Sequence, residues 1–212
     1  MKTQKAVILC DGRPPEADLL ERELKDAQLF IAADGGGNTA RELGFTPDLV
    51  VGDMDSFISH KEDSFEVITD PDQETNDLEK ALTSALNRNI EQVVLLGTVG
   101  RRLDHTLKNL SVLKQFHQKF DSLIIKDRYG DTRLIRSPFR ESFPVGTTIS
   151  LFPLSGEVKG ISTKGLLYSL KNESLKNGLR DGTSNKTTQP DIEILFEEGD
   201  LLLITANPDN RS

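Results

Sequence analysis

The sequence predicts a three-layer α/β domain built on a mostly parallel sheet, followed by a small antiparallel β-sandwich or barrel domain. Two observations carry this. From Lys5 to about Arg128, short apolar runs alternate with segments whose apolar residues recur at helical spacing. Beyond that point the helical spacing fades, and short β-rich runs punctuated by Gly, Pro, Asn and Ser take over. A chain of 212 residues is long enough for one large domain or two small ones.

In the first part, Ala6–Cys10 is expected to be a strand, and Ala17–Ala27 a helix whose Leu19, Leu20 and Leu24 share one face. Leu29–Ala33 is a second strand, and Asn38–Leu43 a short helix stopped by Gly44. Asp48–Val51 and Glu66–Thr69 follow as strands. Asp77–Asn89 is a helix with Leu78, Leu82, Ala85 and Leu86 on one side, and Asn76 and Glu79 have the spacing of a capping box. Gln92–Leu96, a long helix over Leu103–Lys119, and Ser122–Lys126 complete a Rossmann-like series. The domain boundary falls near Tyr129–Asp131, giving a first domain over 1–128 and a second domain over 132–212. That second domain is expected to hold strands at Thr132–Arg136, Thr147–Phe152, Glu157–Ile161, Leu166–Leu170, Ile192–Phe196 and Leu201–Thr205. Leu175–Gln189 is polar and aperiodic, and reads as a substantial loop.

The formal net charge of −8 argues against electrostatic capture of nucleic acid as the main task. It is compatible with ATP, because metal ions couple carboxylates to phosphates. The single cysteine, Cys10, allows no intrachain disulfide and reads as a small hydrophobe at a strand end. The apolar run before it is too short for a signal-peptide core, and no stretch has the length of a membrane span. The expectation is a cytoplasmic protein with no membrane partner.

The chemistry-bearing residues lie where strands end. Ligands of open α/β sheets bind outside the carboxyl ends of the strands. Asp48–Val51 runs into Gly52-Asp53-Met54-Asp55-Ser56. If the backbone stays extended there, Asp53 and Asp55 share a face. Paired carboxylates repel unless a cation intervenes, and Mg²⁺ prefers oxygen ligands. The bland alternative is a pair of turn acids. A second acidic loop, Asp70 to Asp77, joins a strand to a helix N-terminus, where Asp77 equally suits the helix dipole. A third segment, Gly97 to His105, offers Gly100 for a close turn, Arg101 and Arg102 as phosphate donors, and Asp104 and His105 in the first helical turn. Asp34-Gly35-Gly36-Gly37 also lies between strand and helix and could cradle phosphate. The chain has no Walker A lysine motif and no full dinucleotide-binding glycine fingerprint, which counts against P-loop kinases and dinucleotide oxidoreductases.

Taken in order, Ala33-Asp34-Gly35-Gly36, Pro47 through Ser56, Pro71-Asp72-Gln73 with Asn76 through Leu82, and Gly97 through His105 with Asn109-Leu110 resemble the thiamine pyrophosphokinase family. Gly182-Thr183-Ser184-Asn185 adds a weaker match. The resemblance implies transfer of the pyrophosphoryl group of ATP to the hydroxyl of thiamine, giving thiamine diphosphate and AMP. It implies Mg²⁺ as cofactor and a homodimer with thiamine near the subunit interface. Carried onto this chain, Asp53, Asp55 and Asp77 become the catalytic and metal-binding acids. Asp34, Gly35, Gly100, Arg101, Arg102, Asp104 and His105 fall on the ATP side, and Gln73, Ser184 and Asn185 on the thiamine side. Two departures stand out. The family usually has two glycines before the arginine of the third segment, where this chain has Gly100-Arg101-Arg102. Glu74-Thr75-Asn76-Asp77 replaces a run that often holds Asp and Thr-Asp, so Glu74 is not assigned to the metal. Two other readings stay open: a metal-dependent nucleotide phosphohydrolase using the same acidic loops, and a nucleotide-binding module without chemistry.

Overall fold

The structure, a computed structural model, describes residues 3–207. These fall into two compact units, the first ending at Arg128 and the second starting at Tyr129.

In the first unit, six strands pair in parallel: β1 (Lys5–Leu9), β2 (Leu29–Ala33), β3 (Leu49–Gly52), β4 (Glu66–Thr69), β5 (Gln92–Leu96) and β6 (Ser122–Lys126). The pairings place them in the order β6-β5-β1-β2-β3-β4. The helices are α1 (Ala17–Leu24), α2 (Gly36–Glu42), α3 (Asp77–Asn87) and α4 (Leu103–Phe116). Strand side chains alternate between faces. Val7 and Leu9 of β1 pack with Leu19 and Leu20 of α1 and Ala40 of α2. Ala6 and Ile8, equally buried, point to the other face, and α3 packs against β1, β2 and β3. A sheet buried on both faces explains why these strands read as continuous apolar runs. The expected three-layer parallel architecture is present.

The order reverses at β1. Strands β2 to β4 are added on one side of it, and β5 and β6 on the other. Such a switch point opens a crevice at the carboxyl ends of the central strands. The loops after β1 and β5 form that crevice and are pinned together by backbone bonds. Gly12 N–H donates to the Gly97 carbonyl at 2.6 Å, and Arg13 N–H to the Val99 carbonyl at 2.7 Å.

The second unit is an antiparallel sandwich. One sheet joins β7 (Gly130–Leu134), β14 (Leu201–Ala206), β9 (Thr148–Pro153) and β12 (Gly182–Lys186). The other joins β8 (Phe139–Ser142), β13 (Asp191–Leu195), β10 (Glu157–Lys164) and β11 (Glu173–Lys176). Ile149 and Leu151 of the first sheet share a buried core with Ile161, Ile192 and Ile194 of the second. Two expectations fail here. The segment taken as a loop over Leu175–Gln189 contains β12 and the end of β11, and the strand expected at Leu166–Leu170 is absent. Gly165, at φ +82°, ends the extended run, after which Leu166 makes only an isolated bridge with Thr187.

Among the described residues, no helix is long and apolar enough to cross a membrane.

Candidate active site

A cleft of about 380 Å³ opens over the switch point of the first unit. Every segment that lines it follows a strand or begins a helix: Cys10 to Gly12 after β1, Asp34 after β2, Asp55 and Ser56 after β3, Asn76 and Asp77 at the start of α3, and Gly97 to Val99 after β5. Arg101 and Arg102, with His105, Thr106 and Asn109 of α4, complete the lining.

Asp34, Asp53 and Asp77 converge beside it, with one carboxylate oxygen from each lying within 4.8 Å of the others. The sequence placed Asp53 and Asp77 in such a group, but with Asp55 as the third member and Asp34 on the nucleotide side. Local backbone conformation makes the difference. Met54 adopts φ +66°, so the chain turns between Asp53 and Asp55 and the expected alternation is lost. Asp55 is exposed, and its carboxylate accepts from the Ser56 hydroxyl at 2.7 Å. Asp34, itself left-handed at φ +45°, is buried and accepts from the amides of Ser56 and Phe57 at 3.2 and 3.1 Å. It therefore holds the loop after β3 as well as facing the other acids. Two left-handed non-glycine residues at one site are backbone strain held by the surrounding bonds. The acids can meet because residue 52 is glycine. A Cβ there would lie 2.8 Å from the Asp34 Cβ and 2.9 Å from an Asp77 oxygen.

The electrostatics of the three acids differ. Burial pushes the Asp77 carboxyl up, and the charges of Asp34 and Asp53 push it further. Burial also raises Asp34, against the bonds from Phe57 and Ser56. Asp53 is held below its ordinary value by the Gln73 side chain, which donates to it at 3.1 Å, and by the Asp55 amide. The neighbouring cation is Lys80, whose buried ammonium lies 3.9 Å from Asp77 and donates to the Asp70 carbonyl at 2.7 Å. One ammonium does not balance three carboxylates. Three hard oxygen donors in excess of nearby positive charge suit a divalent cation such as Mg²⁺.

The nucleotide-side residues are distributed differently from the expectation in detail. Gly35 caps α2 and abuts Asp11, whose Cγ would sit 2.7 Å from a Cβ at that position. Arg102 pairs with Asp104, which holds the Asp104 carboxyl down at about 2. Arg101 reaches instead to Asp11, 2.6 Å away. In this loop Gly97 and Gly100 carry positive φ, at +66° and +94°, and Arg101 does not. The departure from a second glycine is thus absorbed without left-handed strain at the arginine. His105 lines the cleft, and its amide donates to Asp104 at 3.0 Å. The Cys10 thiol at the cleft floor is pushed up to about 12 by burial and by Asp77 and Asp11, so it stays protonated.

The thiamine-side expectations divide between the units. Gln73 is spent on Asp53. Ser184 and Asn185 lie on β12 of the second unit. Ser184 is exposed, with φ +59°, and its amide donates to the Ser150 hydroxyl. Asn185 is buried, and its amide group makes a reciprocal pair with the Tyr168 backbone, accepting from its N–H at 2.9 Å and donating to its carbonyl at 2.8 Å. Asn185 and Tyr168 line a smaller cavity of about 170 Å³ with Arg180, Asp181 and Thr183.

Lys80, Thr98 and Asn109 lie in the segments that carry the resemblance but were given no role there, and Asp11 was not singled out. Asp11 had the same signal as the assigned acids, being the second residue past a strand end.

Residues 20–125 match the family described as thiamin pyrophosphokinase, catalytic domain, and residues 135–201 match the thiamin pyrophosphokinase vitamin B1 binding domain. The chain belongs to the thiamin pyrophosphokinase family. Its relatives in that family include Thiamine pyrophosphokinase 1 of Oryza sativa subsp. japonica, 26% identical, covering 89% of this chain and 82% of the relative. Thiamin pyrophosphokinase 1 of Caenorhabditis elegans is 28% identical, covering 87% of this chain and 82% of the relative. Among solved structures, the thiamin pyrophosphokinase of Geobacillus thermodenitrificans superposes with a TM-score of 0.84 at 24% identity, over 98% of this chain and 99% of that one. The yeast thiamin pyrophosphokinase reaches 0.85 at 15% identity, over 100% and 89%. At these identities the structural likenesses speak for the fold, and the matched family segments speak for membership. The catalytic-domain match runs from within α1 to within β6 and so takes in Asp34, Asp53, Asp77 and the glycine–arginine loop.

Proposed function

We propose that this chain transfers the pyrophosphoryl group of ATP to the hydroxyl of thiamine, releasing AMP, as a thiamine diphosphokinase. The observation that carries the reading is the convergence of Asp34, Asp53 and Asp77 on a switch-point cleft, in a chain that matches both domains of this family. Asp53, Asp77 and Asp34 would hold Mg²⁺. When bound, that ion supplies charge neutralisation to the polyphosphate. The chain's own residues do the rest. Arg101 and Arg102 stand at the cleft rim as forked donors to phosphate oxygens, with Asp104 and His105 beside them. Asp55, exposed at the cleft with its carboxylate outside the acidic trio, would contact a substrate or its metal. An acid of this group would accept the proton of the thiamine hydroxyl. Gln73 fixes the orientation of Asp53. Catalysis of this kind rests on positioning and charge stabilisation.

In the second unit, Ser184 and the cavity beside Asn185 are assigned to thiamine, with Asn185 shaping the wall through Tyr168. A homodimer is supported by the exposed Leu103 and Leu107, one turn apart on α4. A cytoplasmic location agrees with the acidic composition and the lack of an apolar spanning helix among the described residues.

One assay separates the readings. The protein is incubated with Mg·ATP, with and without thiamine, and AMP, inorganic phosphate and thiamine diphosphate are followed. Thiamine-dependent AMP is the expected result. Phosphate release without thiamine would replace the reading by a phosphohydrolase, and tight ATP binding without products by a binding module.

A further inference from the structure

We infer that Asn109 is a positioning residue that locks the acidic loop to the glycine–arginine loop through a one-way relay of amide hydrogen bonds. The inference rests on the pyrophosphoryl-transfer reading for its effect on turnover, but not for its geometry.

The relay is directional. The Thr98 carbonyl can only accept, so Asn109 must present Nδ2 to it, and does so at 2.7 Å. That leaves Asn109 Oδ1 to accept from Asn76 Nδ2 at 3.2 Å. Asn76 Oδ1 is thereby turned to the Glu79 amide, from which it accepts at 3.0 Å as the cap of α3. Each side-chain amide is used once as donor and once as acceptor, and reversing either one would set donor against donor or acceptor against acceptor. A second strut runs alongside. Glu79 accepts from the Asn76 amide at 2.9 Å and pairs with Lys108 at 2.8 Å, again joining α3 to α4.

The ends of the relay give it meaning. Asn76 directly precedes Asp77 of the acidic trio. Thr98 sits in the loop that carries Arg101 and Arg102. Both anchor points are half-buried or buried, and both line the cleft together with Asn109. The spacing between the acids and the arginines is therefore set before a nucleotide arrives, which is where displacements of about 1 Å cost about a hundredfold in rate. Asn109 is placed in neither the acidic trio nor the phosphate-facing arginines, and acts through the two loops it joins.

Two variants interrupt the relay, one conserving side-chain volume and the other conserving the cap of α3. Asn109→Asp keeps an acceptor for Asn76 but cannot donate to the Thr98 carbonyl. Asn76→Ser keeps a capping oxygen for α3 but has no amide to give Asn109. Each is expected to lower kcat by about tenfold or more, with the KM for thiamine within about twofold of wild type. The double variant should be no worse than the worse single one, since both cut the same chain. Amide hydrogen exchange supplies a readout without substrates. Asn76→Ser should speed exchange across residues 97–102, the loop at the far end of the relay. Additive losses in kcat, wild-type kcat in Asn109→Asp, or unchanged exchange at 97–102 in Asn76→Ser would each overturn the inference. If wild type makes no thiamine diphosphate, the functional reading fails, and the exchange comparison still decides whether the loops are coupled.

Discussion

Removing the charge of Asp77 should stabilise the metal-free protein while abolishing its Mg²⁺-dependent turnover. Asp77→Asn keeps the shape of the side chain and an oxygen for the Asp53 amide, which donates to Asp77 at 3.4 Å. Only the charge is lost. Its ligand oxygen lies within 4.8 Å of those of Asp34 and Asp53. At that separation two unit charges repel by about 0.9 kcal/mol in water and about 3.5 kcal/mol at an effective dielectric of ~20. Two such repulsions act on Asp77, and the attraction of Lys80 at 3.9 Å offsets roughly one of them. The Asp77 side chain is 36% exposed, so screening favours the lower figure, and the net gain is about 1 kcal/mol. For a domain of this size that corresponds to ~2–4 °C in Tm. The sign with pH follows from linkage. The Asp77 carboxyl is raised above its ordinary 3.8, so its cost is felt above the folded pKa and disappears as pH falls to about 4 and both states protonate. The variant's advantage should therefore exist at neutral pH in EDTA and vanish in acid. With saturating Mg²⁺ the order should invert, because wild type gains about 2.7 kcal/mol at a hundredfold excess over Kd and the variant does not. Thermal unfolding in EDTA and in Mg²⁺, beside a thiamine diphosphate assay, tests this. A metal-free variant less stable than wild type, or one that Mg²⁺ stabilises as strongly, would refute the assignment of these acids to a cation.

Three further changes probe separate parts of the argument. Lys80→Met removes the cation that lowers the Asp77 and Asp53 carboxyls and leaves the Asp70 carbonyl unpaired; it should cost about 1–3 kcal/mol of stability and move the acidic limb of the kcat/KM profile to higher pH. Arg101→Gly breaks an exposed pair with Asp11, so urea midpoints should change by less than about 1 kcal/mol while the KM for ATP rises. Glu23 is buried, which raises its carboxyl, but Lys126 and Lys5 more than offset this from 3.0 and 3.1 Å and hold it low. Glu23→Gln should cost about 3 kcal/mol at neutral pH, and the deficit should shrink as pH falls through the folded pKa, since a depressed carboxyl contributes only where it is ionised; denaturant titrations at two pH values check this.

Much of the first unit was legible because burial on both faces of a parallel sheet leaves few options. β4, β5 and β6 fall on the expected residues, and the capping box of α3 is present as the spacing of Asn76 and Glu79 predicts. The second unit was less legible where its strands are short and polar. β11 buries Leu175 alone and β12 buries Asn185 alone, so neither shows a period. Their pairing comes from backbone bonds to β10 and β9, a tertiary fact that a local pattern does not carry. Conversely, Leu166–Leu170 read as a short β-rich run, but Leu166 and Leu170 fill the core from a bent segment after Gly165.

The composition of the site turned on one torsion angle. Spacing placed Asp53 and Asp55 together on the condition that the chain stays extended between them. Met54, in the left-handed region, breaks that condition, and nothing about a methionine announces it. The same turn brings the amides of Ser56 and Phe57 back onto Asp34, so the residue that displaces Asp55 from the trio is also the one that holds the turn in place. Asp34 in turn can approach Asp77 only across Gly52. The acidic site is therefore a mutual arrangement: the strain at Met54, the buried carboxylate of Asp34 and the missing Cβ of Gly52 each require the others. A substitution at Gly52 should accordingly disturb the trio more than one at Asp55, although residue 52 carries no chemistry of its own.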